Sequence, residues 1–290
     1  MAQGIEVLKK RILVLGSTGM LGHQVFYYLK SFSGFIVDDI SFRSKLTEST
    51  RIIDVKNILA LESYIAELQP EYIINCIGIL VTGSQDEGNA IYLNAFLPHK
   101  LAAIARTFNS KLIHISTDCV FSGSKGQYLE TDLRDGRGVY AQTKILGEII
   151  DDINLTLRTS IVGPELKSQG EGLFHWFMNQ NGAIDGYTKA IWSGVTTIEL
   201  AKAVKWAIDQ NVTGLYHVTN NTSISKFELL ELFKKYTQKE IHINPTDGKA
   251  VDKSLLDTRG EINYQIPSYE TMVMEMVESM KCHDSLYPYK

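Results

Sequence analysis

The chain has 290 residues, 44% of them hydrophobic and 21% charged, with a formal net charge of −4. These values fit one large globular domain or two interleaved ones, and they argue against a nucleic-acid binder, which usually carries a broad basic face. The 3 cysteines, Cys76, Cys119 and Cys282, are odd in number and far apart, so neither a disulfide framework nor a zinc site is indicated. With no apolar N-terminal segment and no apolar run near ~20 residues, the expectation is a cytoplasmic chain without a membrane partner.

The run Arg11-Ile12-Leu13-Val14-Leu15 predicts a buried parallel strand. Gly16-Ser17-Thr18-Gly19-Met20-Leu21-Gly22 follows at once, and a helical pattern continues through Val25, Phe26, Tyr28 and Leu29. Strand, glycine turn and helix form the context in which a glycine motif binds a dinucleotide. Gly16 permits the tight turn, Gly19 lets backbone approach a pyrophosphate, and Gly22 lets helix pack on strand. The phosphates would sit at the helix N-terminus, so Gly16, Thr18, Gly19, Met20, Leu21 and Gly22 are cofactor candidates. The spacing is GxxGxxG rather than GxGxxG, and a plain strand–helix turn is the competing reading.

A second strand is expected within Phe35–Phe42, with Arg43 and Ser44 about twenty residues past Gly22, where a Rossmann fold reads the adenosine ribose. Asp38 and Asp39 come early for that role, so Arg43 and Ser44 are the selectors and NADPH is favoured, with NADH the alternative. Arg43 as a solvated loop residue competes with this. Residues 51–55 form another β-like run. Asp54, beside Val55, either meets the adenine or caps a helix over 56–68. Tyr72–Asn75 reads as a central strand, with Cys76, Ile77 and Gly78 running beside the cofactor. A helical pattern over 89–108 is interrupted by Pro98, which implies a kink or a displaced helix start. Asn94, within it, is a candidate tie to the central strands.

The strand expected at 111–116 leads into Ser116-Thr117-Asp118, and Tyr140-Ala141-Gln142-Thr143-Lys144 follows. On a helix over 139–151, Tyr140 and Lys144 share a face one turn apart. A phenol beside an ammonium can work as an acid near neutral pH, because a nearby positive charge favours phenolate. Further on, 155–162 reads as a strand, 163–190 as an aromatic-rich substrate lobe, 197–208 as a helix and 214–218 as a strand. A helix over 225–236 is expected with a Ser225/Glu228 capping box, and a last one over 267–281. The predicted fold class is α/β: a doubly wound, mostly parallel Rossmann sheet with a smaller C-terminal α/β substrate lobe. Residues 1–162 are assigned to the NADP-binding domain, with a return around 191–220, and 163–290 mainly to the lobe.

The segments GSTGMLG (16–22), NCIG (75–78), LNAFLPHKLA (93–102), HISTDCVFSG (114–123), YAQTK (140–144) and LRTSIVGPE (157–165) together resemble an extended short-chain dehydrogenase/reductase of the dTDP-4-dehydrorhamnose reductase group. The weaker VDKSLLDT (251–258) extends the match. The resemblance implies hydride transfer to C4 of a 4-keto-6-deoxy sugar on a nucleoside diphosphate. It implies Tyr140 as proton donor, Lys144 on the nicotinamide ribose and biasing Tyr140 toward phenolate, Thr117 on the keto oxygen, and Ser116 beside the cofactor. Cys119 stands where the group has Tyr and Ile161 where it has Trp, which points away from dTDP-rhamnose. With AIWSGVTTIEL (190–200), the pattern resembles a sub-branch acting on UDP-linked 4-keto-6-deoxy-N-acetylaminosugars, with products such as UDP-QuiNAc. Cys119, Val120, Ile161, Lys189 and Trp192 are the implied substrate contacts, and a homodimer is the candidate assembly. Two other functions compete: a nucleotide-sugar epimerase on the same fold, and a non-catalytic NADP-binding regulatory subunit. A dehydratase would need a second carboxylate where Cys119 stands.

Overall fold

The computed structural model describes residues 9–260 and 263–289; most of the stretch Met1–Lys10 lies outside that range. Strands β1 (Lys10–Leu15), β2 (Phe35–Ser41), β3 (Arg51–Ile52), β4 (Tyr72–Asn75), β5 (Lys111–Thr117) and β6 (Leu155–Thr159) come in order along the chain. They alternate with helices α1 (Gly22–Lys30), α2 (Ile58–Leu68), α3 (Glu87–Ala90), α4 (Leu97–Thr107) and α5 (Val139–Leu146). Then come β7 (Ile161–Val162), α6 (Leu173–Met178), β8 (Gly182–Tyr187), β9 (Ala190–Trp192), β10 (Val195–Thr196) and α7 (Thr197–Asp209). The chain closes with β11 (Gly214–His217), β12 (Ile224–Ser225), α8 (Lys226–Thr237), β13 (Ile241–Thr246), β14 (Val251–Asp252) and α9 (Tyr269–Cys282).

A 7-stranded sheet runs β11-β6-β5-β4-β1-β2-β3, and every pairing in it is parallel. Strand order reverses between β1 and β4, so the crevice above their carboxyl ends is where such a sheet binds ligands. Side-chain alternation builds the layers. Ile12 and Val14 enter one core with Val25, Leu29, Val204 and Met276, while Leu13 and Leu15 enter the other with Leu61, Ile65, Leu101 and Ala105. The first core continues without a break into Phe174, Phe177, Leu229 and Phe233 of the C-terminal half.

Several expected elements differ in extent. The pattern over 89–108 resolves into α3, a π-helical segment Ile91–Phe96, and α4, with Pro98 in the first turn of α4. The helix expected over 139–151 ends at Leu146; Gly147 follows in close backbone contact, since a side chain there would stand 1.8 Å from the Asn94 carbonyl oxygen. The strand expected over 155–162 breaks at Ser160, whose carbonyl accepts from Val195 as the chain leaves the sheet to pair with β10. Helix α2 is capped by Asn57, which accepts from the Ala60 N–H at 3.2 Å; Asp54 instead accepts from the Lys56 N–H at 2.9 Å in a local turn. The Ser225/Glu228 capping box forms as read, with both reciprocal hydrogen bonds present.

Candidate active site

At the crevice, Gly16 has φ +79, the left-handed region that favours glycine. A Cβ on Gly22 would lie 2.1 Å from the Gly16 carbonyl oxygen, so the helix touches the turn backbone. The Gly19 N–H donates to the Gly16 carbonyl at 3.0 Å. Helix α1 has neither a side-chain cap nor an acidic residue in its first turn, which leaves its N-terminal field to an anion. This cradle fits a dinucleotide pyrophosphate. Leu21 is an exception among the candidates as a side chain, since it is buried in the core beside Val25.

Strand β2 ends in Ser41, whose hydroxyl donates to the Ser44 carbonyl at 2.5 Å, folding the following loop back. Arg43 is exposed, its guanidinium 4.8 Å from the Phe42 ring centroid. Asp39 sits within the strand, 2% exposed, with neither carboxylate oxygen hydrogen-bonded among the described residues. Val55 is buried and its carbonyl accepts from the Tyr92 hydroxyl at 3.1 Å. Across the crevice Asn75 accepts from the Ile77 N–H at 3.1 Å, and a Cβ on Gly16 would stand 2.9 Å from Ile77 Cγ1. Burial pushes the Cys76 thiol up to about 12, which makes it a packing group rather than a nucleophile. Asn94 clamps the loop above: its Oδ1 accepts from the Ile79 N–H at 2.9 Å, and its Nδ2 donates to the Ile79 carbonyl at 3.0 Å and to Thr143 Oγ1 at 3.3 Å.

Ser116 and Thr117 are neighbours on β5 and therefore face opposite ways. The Ser116 hydroxyl donates to Glu148 Oε1 at 2.6 Å, inside a buried network. Arg158 donates to both Glu148 oxygens, at 2.8 and 2.7 Å, and Arg134 joins at 2.9 Å. Arg158 is 1% exposed, a buried member of this network. Ser116, expected beside the cofactor, has its side chain turned into this network. Thr117 stays at the crevice, accepting from the Cys119 N–H and donating to Asp118 Oδ1, both at 3.1 Å. A hydroxyl has one proton, so in this arrangement Thr117 presents lone pairs to its next neighbour. That neighbour is Tyr140, whose phenol O–H is the group those lone pairs can accept from.

The expected bias of Tyr140 toward phenolate is not what this arrangement produces. Its pKa is raised, first by burial and then by the neighbouring Cys119 and Asp118 side chains. The Lys144 amine, one turn on, donates instead to the Ile115 carbonyl at 2.8 Å. Burial lowers Lys144 to about 8, with the Glu148 charge working against the shift.

Next to Tyr140 opens a cavity of about 590 Å³. Asp118, Cys119, Tyr140, Ser160 and Trp192 line it together with four cations, Arg137, Lys226, Lys249 and Lys253. Of the expected substrate contacts, Cys119 and Trp192 line this cavity. Val120 is fully buried, Ile161 lies behind Ser160 and outside the lining, and Lys189 is drawn to Asp247 at 2.5 Å. The reading of the sequence missed Arg137, Lys226, Lys249 and Lys253. Two of them sat in segments the sequence had marked: Lys226 directly after the capping serine, and Lys253 in VDKSLLDT. The Lys226 ammonium lies 5.6 Å from the Trp192 ring centroid, and its pKa is lowered by burial against the opposing Asp118 and Cys119 charges. Lys253 faces the Cys119 thiol, whose pKa burial raises to about 11.

The family described as RmlD substrate binding domain matches residues 10–257. The chain belongs to that family. Among its relatives, the methionine adenosyltransferase 2 subunit beta of Rattus norvegicus is 26% identical over 78% of this chain and 71% of that protein. The dTDP-4-keto-6-deoxy-D-glucose reductase of Streptomyces niveus is 23% identical over 77% of each. The crystal structure of dTDP-4-dehydrorhamnose reductase from Bacillus anthracis, in complex with NADP, superposes with a TM-score of 0.80 at 22% identity, over 94% of this chain and 100% of that one. That likeness establishes the doubly wound fold of this RmlD-family chain.

Proposed function

We propose that this chain reduces the 4-keto group of a nucleoside-diphosphate-4-keto-6-deoxy sugar with NADPH, the sugar being a UDP-linked N-acetylaminosugar, with dTDP-4-dehydrorhamnose the alternative. The observation that carries the reading is the meeting of Thr117 and Tyr140 at a cavity holding Arg137, Lys226, Lys249 and Lys253, beside a glycine cradle. Four cations against one lining carboxylate suit a diphosphate-bearing substrate.

Bound in this cleft, the nicotinamide would supply hydride. Tyr140 gives its proton to the oxygen of the reduced carbon, and its raised pKa suits a group that stays protonated until the alkoxide forms. Thr117 holds the phenol in place through the lone pairs that Asp118 leaves free. Lys144, half-charged near pH 8, holds the cofactor ribose. Ser41 in place of an acid at the end of β2, with Arg43 exposed two residues on, favours NADPH over NADH. A cytoplasmic site of action goes with this cofactor and substrate; among the described residues no helix is long and apolar enough to cross a membrane. A homodimer is part of the reading: Phe96, Leu146 and Ile150 are exposed where α4 begins and α5 ends, and sedimentation of a monomer would remove it.

The test is loss of absorbance at 340 nm with NADPH, and separately NADH, against a panel of UDP-, dTDP- and GDP-linked 4-keto-6-deoxy sugars. Turnover of a UDP-acetamido sugar with NADPH is expected, and no oxidation across the panel defeats the reading. The likeness to methionine adenosyltransferase 2 subunit beta supports one second reading, a nucleotide-binding regulatory subunit. Tight capture of a catalytic partner by an inactive chain would establish it.

A further inference from the structure

The cations of the cavity fall into two groups. Arg137 and Lys249 are exposed, whereas Lys226 and Lys253 are half-buried. Both inner lysines line the cavity together with Cys119 and Tyr140, so the inner pair stands with the reacting groups. Of the two, Lys226 is the one seated over an aromatic ring of the lining, that of Trp192. Lys226 forms no hydrogen bond and no ion pair within 4.0 Å among the described residues; it lies over Trp192 with Asp118 and Cys119 in view. Helix α8 fixes its position, since Lys226 is the first residue after a complete capping box.

In a nucleotide sugar the pyranose ring separates the diphosphate on C1 from the ketone on C4. With C4 at Tyr140, the diphosphate falls toward Arg137 and Lys249, and Lys226 meets the ring's own substituents. A desolvated ammonium is best matched by a strong acceptor oxygen. On a 6-deoxy hexose the strongest uncharged acceptor is the amide oxygen of an acylamino group.

We propose that Lys226 is a specificity-determining residue that donates to the amide oxygen of an N-acylamino substituent on the sugar, not to the diphosphate. This deepens the reductase reading, yet it concerns binding and can be tested without turnover. Titration calorimetry on the full-length protein with UDP-N-acetylglucosamine, UDP-glucose and UDP measures it. Wild type should favour the acetamido sugar over UDP-glucose by roughly 10- to 100-fold, the range of a hydrogen bond to a charged group. Lys226→Met, which keeps the apolar stem on Trp192, should erase most of that preference. It should leave UDP affinity within about threefold, the scatter expected where no hydrogen bond is lost. Lys226→Arg should retain part of the preference. Unchanged NADPH affinity shows that a variant is folded, and Lys226→Gln repeats the contrast should the Met variant lose it. Equal binding of the two sugars by wild type, binding of neither, or equal weakening of UDP and both sugars by Lys226→Met overturns the proposal. If the contrast holds while no 4-keto sugar is turned over, the reductase reading fails and the role of Lys226 stands.

Discussion

At Thr117 the direction of one proton matters. Because its hydroxyl donates to Asp118, it can hold the Tyr140 phenol but not also donate to a ketone. Tyr140 is then the group that must protonate the product oxygen. Tyr140→Phe should leave NADPH affinity unchanged and cut kcat by about 10²- to 10⁴-fold, the range of a lost general acid; stopped-flow oxidation of NADPH reads it. Lys144 gives a pH signature. Its pKa is lowered to about 8, so it is charged below that value and neutral above it. Cofactor affinity should therefore fall as pH rises through about 8, as fluorescence titration of NADPH measures, and Lys144→Arg, which stays charged, should flatten the profile. The sequence showed this trio as residue types at a spacing. It could not show that the Lys144 amine goes to the Ile115 carbonyl, because that depends on how α5 sits on β5.

Among the elements, β5, β6 and β11 are joined by a polar network as well as by their ladder. Glu148 takes the Arg158 guanidinium on both oxygens, and Arg158 in turn donates to His217 Nε2 at 2.8 Å. His217 Nδ1 is 2.9 Å from the Leu256 carbonyl, so the neutral ring donates there and accepts from Arg158. Burial first, and then the Arg158 charge, lower His217 to about 4. Hydrogen bonds from Arg158, Ser116 and Arg134 outweigh burial and hold Glu148 below the usual carboxylate range. Both shifts have the same sign for stability. As pH falls from about 6.5 through about 4, the unfolded chain takes up protons that native His217 resists. Below the ordinary carboxylate pKa, Glu148 adds to the loss. Thermal stability should thus be greatest near neutrality and fall steadily across that acidic window in calorimetry. Glu148→Ala, which strands a buried guanidinium, should cost about 3–5 kcal/mol in urea unfolding. The sequence marked β5, β6 and the Ser225/Glu228 cap by local pattern. It had no signal pairing Glu148 with Arg158 and His217, which are brought together only when three strands align.

For the whole molecule, the strand order β11-β6-β5-β4-β1-β2-β3 puts the glycine turn and the Thr117 end of β5 at one edge of the sheet. The C-terminal elements close a cavity over that edge. Local pattern was enough for the alternation of strands and helices, the glycine turn and the capping box. Each depends on neighbours within a few residues or on backbone geometry that only certain residues tolerate. The doubly wound class followed from the same periodicities. Tertiary structure decided the rest: that Ser116 turns away while Thr117 stays, that the 89–108 helix carries a π-segment, that Lys189 is drawn out to Asp247, and that Arg137, Lys226, Lys249 and Lys253 share one cavity. Those cations lie on separate segments, and charge separated along a chain becomes a binding field only when packing places it around one space and excludes water from it.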